Sequence, residues 1–148
     1  AADALRERLL PLATLLTPNL PEAARLCGRE MTLDEAAIQQ QAELLIDAGA
    51  SAVLMKGGHN QGKTCVDLLV TAEGVRLRLE AKRIDTKNTH GTGCTLSSAI
   101  AAGFALGLPL EQAVSRAHEY LQGAIRAADQ LQVGHGHGPV HHFYRQWD

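Results

Sequence analysis

Asp85-Thr86-Lys87-Asn88-Thr89-His90-Gly91-Thr92-Gly93-Cys94 runs without a break into Thr95 to Leu106 (TLSSAIAAGFAL), and this junction decides the fold. Cys94 to Leu106 carries no charge. A helix that is apolar or small all round is expected to be buried. Gly91 and Gly93 let the backbone before it curl tightly. The N–H groups of Thr92, Gly93 and Cys94 would then point out of the helix N-terminus. Unpaired donors and the positive end of the helix dipole together make an anion hole there. Such a hole suits charge that builds on a transferring phosphoryl group. A glycine turn feeding a helix is also an ordinary structural device. The missing charges favour the site, because a buried helix aimed at a surface loop is how phosphate sites are built. Cys94 stands in the first turn, where the dipole favours an anion. It reads either as a general base toward a substrate hydroxyl or as a small apolar residue packing at a crowded helix start.

Outward from the junction, helical and strand patterns alternate, the mark of an α/β fold. Ala4 to Leu10 reads as helix ending at Pro11, and Leu12 to Thr17 as a buried strand. Pro21 opens a short helix with Glu22 in its first turn, and Gly28 ends it. Thr32 to Glu35 fits a capping box, with Thr32 as N-cap. The helix after it places Ile38, Ala42, Leu45 and Ala48 on one face and stops at Gly49. Ser51 to Lys56 is a buried strand. Cys65–Thr71 and Val75–Glu80 flank a turn at Ala72-Glu73-Gly74 and predict an antiparallel pair on an otherwise parallel sheet. Pro109 opens a last helix whose core stripe is Ala113, Val114, Ala117, Leu121, Ala124, Ile125 and Ala128.

Composition narrows the function classes. The chain has 148 residues, 45% hydrophobic and 20% charged, with a formal net charge of −2. No basic field is present to hold a nucleic acid, and no Lys/Arg cluster marks a membrane surface. No apolar run reaches the roughly 18 residues of a membrane span. Three scattered cysteines, Cys27, Cys65 and Cys94, point to a reducing, cytoplasmic setting rather than a disulfide framework. Cys27 and Cys65 read as packing residues.

A second glycine loop competes for the phosphate. Gly57-Gly58-His59-Asn60-Gln61-Gly62-Lys63-Thr64 matches the P-loop pattern G-x-x-x-x-G-K-T. That pattern needs a helix directly after it. The next residues, Cys65 to Thr71, read as a strand, so no helix dipole would face the phosphate. The plainer reading is a loop between strands, with Lys56 at the end of the first. The four histidines His135, His137, His141 and His142 invite a zinc reading, but the Gly-spaced pair lacks a register that fixes metal geometry.

The stretch Lys82-Arg83-Ile84 through Cys94 resembles the nucleotide loop of the ribokinase-like kinases. It most resembles the hydroxymethylpyrimidine/phosphomethylpyrimidine kinases of thiamine biosynthesis. Thr17-Pro18-Asn19-Leu20-Pro21-Glu22 resembles that family's Asn-x-x-Glu segment, and Lys56-Gly57-Gly58-His59 its Lys-Gly-Gly-His strand end. Gly134 to His142 resembles its C-terminal tail, which explains the histidines as an ordered loop. The resemblance implies an ATP- and Mg²⁺-dependent kinase acting on hydroxymethylpyrimidine and then on its monophosphate. Gly91, Thr92, Gly93 and Cys94 would form the hole at the γ-phosphate, with Cys94 as the base. Lys56, Thr89, Gly91 and Gly93 would contact the nucleotide. Asn19 and Glu22 would position Mg²⁺ and its waters. Without the resemblance, Asn19 reads as a helix cap and Glu22 as a dipole partner.

The implied fold is a ribokinase-like α/β domain: a mostly parallel sheet, flanking helices and an antiparallel hairpin. The family extends well beyond this length, so residues 1–148 are expected to be the C-terminal portion of one such domain, with the N-terminal strands missing. The Ala1-Ala2-Asp3 start, without Met, agrees with that. The fragment itself is expected to be inactive or nearly so. Its exposed sheet edge would be covered by the N-terminal part or by a second copy in a dimer. A pyridoxal-type vitamin kinase and a non-catalytic nucleotide- or pyrimidine-binding module are the other readings.

Overall fold

The computed structural model describes residues 2–58 and 62–147, which fall into two compact units, Ala1–Lys82 and Arg83–Asp148. The P-loop pattern and the His59 of the Lys-Gly-Gly-His segment thus lie partly outside the described residues.

In the first unit, α1 (Ala2–Ala4) continues through a π-helical turn at Leu5–Leu9 and a 3-10 turn at Leu10–Leu12. The predicted helix thus runs past Pro11. Proline lacks an N–H, and the first positions of the 3-10 turn need none.

Leu12 to Thr17 is not the buried strand that its composition predicts. Leu12 is 80% exposed and Leu16 half-buried. The segment lies parallel to β1 (Ala52–Met55), with Leu16 N–H donating to Ala52 O (3.0 Å) and Leu54 N–H to Leu16 O (2.8 Å). Lys56 N–H donates to Pro18 O at 3.0 Å. Pairing is limited to two isolated bridges, Leu16 with Val53 and Asn19 with Lys56. Pro18 between them has no N–H to offer a ladder.

Helix α2 (Leu20–Cys27) starts at the cap Asn19 and ends at Gly28, whose φ of 63° is left-handed. Helix α3 (Glu35–Asp47) differs from its prediction at the start. Its N-cap is Asp34, whose carboxylate accepts the Ala37 N–H at 2.9 Å. The Thr32 hydroxyl instead accepts the N–H of Asp34 at 3.1 Å. Thr32 therefore shapes the approach to the helix and does not cap it. Gln41 ties the two helices together: its side-chain amide donates to Glu30 O (2.9 Å) and its backbone carbonyl accepts the Cys27 thiol (3.3 Å).

Strands β2 (Thr64–Thr71) and β3 (Gly74–Lys82) complete a sheet of order β1-β2-β3, antiparallel throughout. The parallel component within this chain is confined to the two bridges. The short 56–63 connection explains why, since a parallel crossover needs a dozen or more residues. Val53, Met55, Leu68 and Val70 form one core with Leu20, Leu26, Ile38 and Leu45 from α2 and α3. In β3 exposed and half-buried residues alternate from Arg76 on, so the apolar side is only half-buried, and Val75, beside a register irregularity, is exposed.

In the second unit, α4 (Thr92–Ala105) packs on α5 (Leu110–Arg126). The expectation of a helix buried all round is corrected here. Thr95, Leu96, Ile100 and Gly103 are buried, whereas Cys94, Ser98, Ala101, Ala102 and Ala105 are exposed. One helix covers one face, and alanine and serine cost little when exposed. The predicted stripe is buried except for Ile125, which is half-buried, but its last member, Ala128, lies past the end of α5 in a 3-10 turn. Gly123 joins it, because the Tyr144 ring sits where its Cβ would be, 2.2 Å away.

Candidate active site

Asn19 and Glu22 meet in a reciprocal capping box. The Asn19 carbonyl oxygen accepts the Glu22 N–H at 2.8 Å, and the Glu22 carboxylate accepts the Asn19 N–H at 2.8 Å. Both residues are therefore caps, whatever else they do. Asn19 pairs by its backbone with Lys56, so all three groups gather at the carboxyl ends of two parallel segments. Open α/β sheets bind ligands at that end. Gly57 follows, with its N–H donating to the Asp67 carboxylate at 2.8 Å. A Cβ at Gly57 would lie 1.9 Å from Val66 O, so only glycine fits.

The residues Lys63 and Thr64 do not lead into a helix. Thr64 opens β2, and the dipole that a P-loop needs is absent there.

The Gly91 turn has the context expected of it. Gly91 is the N-cap of α4 in a left-handed conformation, φ 81°, and no side chain caps this helix. Its carbonyl accepts the Thr95 N–H at 2.8 Å. The Thr92 N–H makes a long 3.4 Å turn back to Thr89 O. Gly93 and Cys94 follow as the second and third residues of α4, where no helix carbonyl can reach their N–H groups.

Cys94 is exposed and lines a pocket of about 380 Å³ with Thr95, Ser98, Ala99, Tyr120 and His142. His142 is fixed at both ends. Its Nε2 pairs with the Thr95 hydroxyl at 2.9 Å, and its carbonyl accepts the Tyr120 hydroxyl at 2.8 Å. The sequence reading passed over Tyr120 and Ser98. Ser98 was legible in principle, since it stands one turn after Cys94 on the same face. Cys27 is no second candidate. Burial pushes its thiol up, against the lowering effect of Arg6 and Arg29.

The tail histidines take separate paths. His137 Nδ1 lies 3.2 Å from Lys87 O, and His141 is buried edge-on to Trp147. Among the described residues, no three His, Cys, Asp or Glu side chains converge on one metal position. Asn19 and Glu22 can still serve Mg²⁺ in its usual manner. One carboxylate oxygen of Glu22 is left over from the capping box, and Mg²⁺ keeps most of its waters. No helix among the described residues is long and apolar enough to cross a membrane.

Comparison with known proteins shows the family. The family model of phosphomethylpyrimidine kinase matches residues 1–141. The hydroxymethylpyrimidine/phosphomethylpyrimidine kinase of Rhizobium meliloti is 56% identical over 147 residues, 99% of this chain and 55% of that protein. A thiamine biosynthesis bifunctional protein of Geobacter sulfurreducens is 49% identical over 142 residues, 96% of this chain and 28% of that protein. Among solved structures, Bacillus subtilis pyridoxal kinase in complex with ADP superposes with a TM-score of 0.90 at 36% identity, covering 98% of this chain and 55% of that one. Staphylococcus aureus pyridoxal kinase with AMP-PCP and pyridoxal gives a TM-score of 0.91 at 29% identity, covering 98% of this chain and 53% of that one. The chain spans about half the length of the single-function kinase it matches. Its fold is ribokinase-like, and the chain belongs to the phosphomethylpyrimidine kinase family.

Proposed function

We propose that this chain is the nucleotide-binding and transfer portion of a kinase that phosphorylates hydroxymethylpyrimidine and then its monophosphate, in the supply of thiamine diphosphate. The match over residues 1–141 carries the reading. The bare N-terminus of α4 supports it, because that is where an anion would bind.

In the first transfer, the hydroxymethyl oxygen attacks the γ-phosphorus of ATP. A new O–P bond forms, the bond to the β-γ bridging oxygen breaks, and ADP leaves with that electron pair. Cys94 takes the hydroxyl proton. In the second transfer a phosphate oxygen of the monophosphate is the nucleophile. The N–H groups of Gly93 and Cys94, with Thr92 once its long bond opens, receive the charge on the equatorial oxygens. Thr89 and Lys56 contact the nucleotide, and Lys56 offsets phosphate charge. Asn19 and Glu22 would hold the waters of Mg²⁺, which would supply positive charge to the phosphates. Catalysis of this kind rests on positioning and electrostatics. Three free cysteines suit a reducing cytoplasm. A second copy, or further chain of the same protein, would cover the half-buried face of β3.

Pyridoxal is the competing substrate, since both solved structures quoted above are pyridoxal kinases. The test is ADP release by the full encoded polypeptide with each alcohol. Faster turnover of hydroxymethylpyrimidine is expected, and turnover of pyridoxal alone would reverse the substrate assignment. Cys94→Ala should lower kcat by about 10²–10⁴-fold, the usual worth of a general base. Unchanged turnover in Cys94→Ala and Cys94→Ser would remove Cys94 from that role. The 148-residue chain alone should release no ADP.

A further inference from the structure

The Gly91 turn has no side-chain cap of its own, so something else must hold its donors in place. Asn88, three residues before it, meets the rest of the second unit through every part of its side chain. Its amide N–H groups donate to Ala128 O at 3.3 Å and to the Asp129 carboxylate at 3.0 Å. Its carbonyl oxygen accepts the N–H of Gly138 at 3.1 Å. Both donors and the acceptor of the amide are thus engaged. The backbone around it is fixed as well. The Asn88 N–H donates to the Thr86 hydroxyl at 3.1 Å, and that hydroxyl donates to Asp129.

The tail that Asn88 grips is itself laid along the loop. His90 N–H donates to Gly138 O (3.1 Å), Val140 N–H donates to His90 O (3.4 Å), and His90 pairs with Pro139 as a parallel bridge. The approach is close. A Cβ on Gly138 would lie 2.2 Å from the Asn88 carbonyl oxygen. One amide therefore joins three segments: the loop at 86–90, the turn at 128–130 and the tail at 137–140.

From this we propose that Asn88 is the positioning residue of the phosphate turn, setting the register of the Gly93 and Cys94 donors through the tail. The proposal rests on the kinase reading above. Preorganised donors lose much of their worth when displaced, and a shift of about 1 Å can cost about 10²-fold in rate. Neither a charged nor an apolar side chain of similar size keeps these contacts. Aspartate would set a second carboxylate against Asp129 and lose both donors, and leucine would leave Gly138 N–H and Ala128 O unpaired.

The experiment compares Asn88→Asp, Gly138→Ala and the exchanged pair Asn88→Asp with Asp129→Asn, all in the full encoded polypeptide. The readouts are kcat, KM for the alcohol, melting temperature and hydrogen–deuterium exchange of the 89–96 amides. Asn88→Asp is expected to lower kcat about 10²-fold, the cost of a displacement near 1 Å, with KM for the alcohol within about threefold. Exchange at 89–96 should speed up while the melting temperature changes little. The exchanged pair should recover about tenfold, because a donor again faces a carboxylate between the same two positions. Gly138→Ala should reproduce the kcat loss, and it decides the matter should Asn88→Asp not fold. Wild-type kcat and exchange in either variant would overturn the proposal. So would a loss of kcat that only tracks the folded fraction and is not recovered by the exchanged pair. If the wild-type polypeptide transfers no phosphate, the kinase reading fails. The exchange measurement still decides then whether Asn88 orders the turn.

Discussion

Helices α2 and α4 both begin where the sequence places a phosphate group or its metal, and their N-termini are opposites. At α2 the Asn19 amide and the Glu22 carboxylate satisfy each other's backbone N–H groups, so the terminus is closed. At α4 the cap is a glycine with no side chain, and the first-turn donors face outward. The difference fits the chemistry proposed for each. A closed terminus presents side-chain oxygens, which suit a cation and its waters. An open one presents N–H groups and the dipole, which suit an anion.

The contrast can be broken most sharply by closing α4. Gly91→Asp puts a carboxylate beside the free donors and strains a left-handed position. It should reduce phosphate transfer by about 10²–10³-fold, the worth of an oxyanion-hole donor. Turnover near wild type in a steady-state assay would mean that phosphate does not use this terminus. Opening α2 is a smaller change. Asn19→Ala removes one half of the box and should cost about 1 kcal/mol in urea unfolding. Glu22→Gln separates stability from metal use, since glutamine also completes a capping box. Its melting temperature should match wild type while the Mg²⁺ concentration for half-maximal turnover rises. An unchanged Mg²⁺ dependence would leave Glu22 a cap and nothing more. The mildest probe compares the two helix thiols. Cys94 at the open start of α4 is exposed, whereas burial pushes Cys27 at the end of α2 up. Limited iodoacetamide treatment at neutral pH should therefore label Cys94 first by peptide mass spectrometry.

The same contrast shows what the sequence could and could not reveal. Local rules were enough for α2: Pro21 inside the helix, Gly28 past its end, and Asn19 three residues before Glu22. They were also enough for the hairpin, whose alternation from Arg76 to Lys82 appears in β3. They failed at α3, where the capping-box pattern points to Thr32 but the Ala37 N–H goes to Asp34. They failed at α4, because freedom from charge permits burial on every side but does not require it. Asn88 was invisible for a different reason. Its partners are Ala128, Asp129 and Gly138, and no periodicity links residues so far apart.

That distance has a consequence for how the protein is made. The loop ends at residue 94, yet its Asn88 grip on Gly138 and its His137 contact to Lys87 each span 50 positions. At about 5–20 residues added per second, Gly138 is joined to the chain several seconds after Cys94. During that interval the helices can form, but the turn that precedes α4 lacks its clasp. On the proposed reading, nucleotide competence would arrive late in synthesis, and a chain interrupted before the tail would lack the contacts that hold the phosphate turn in register.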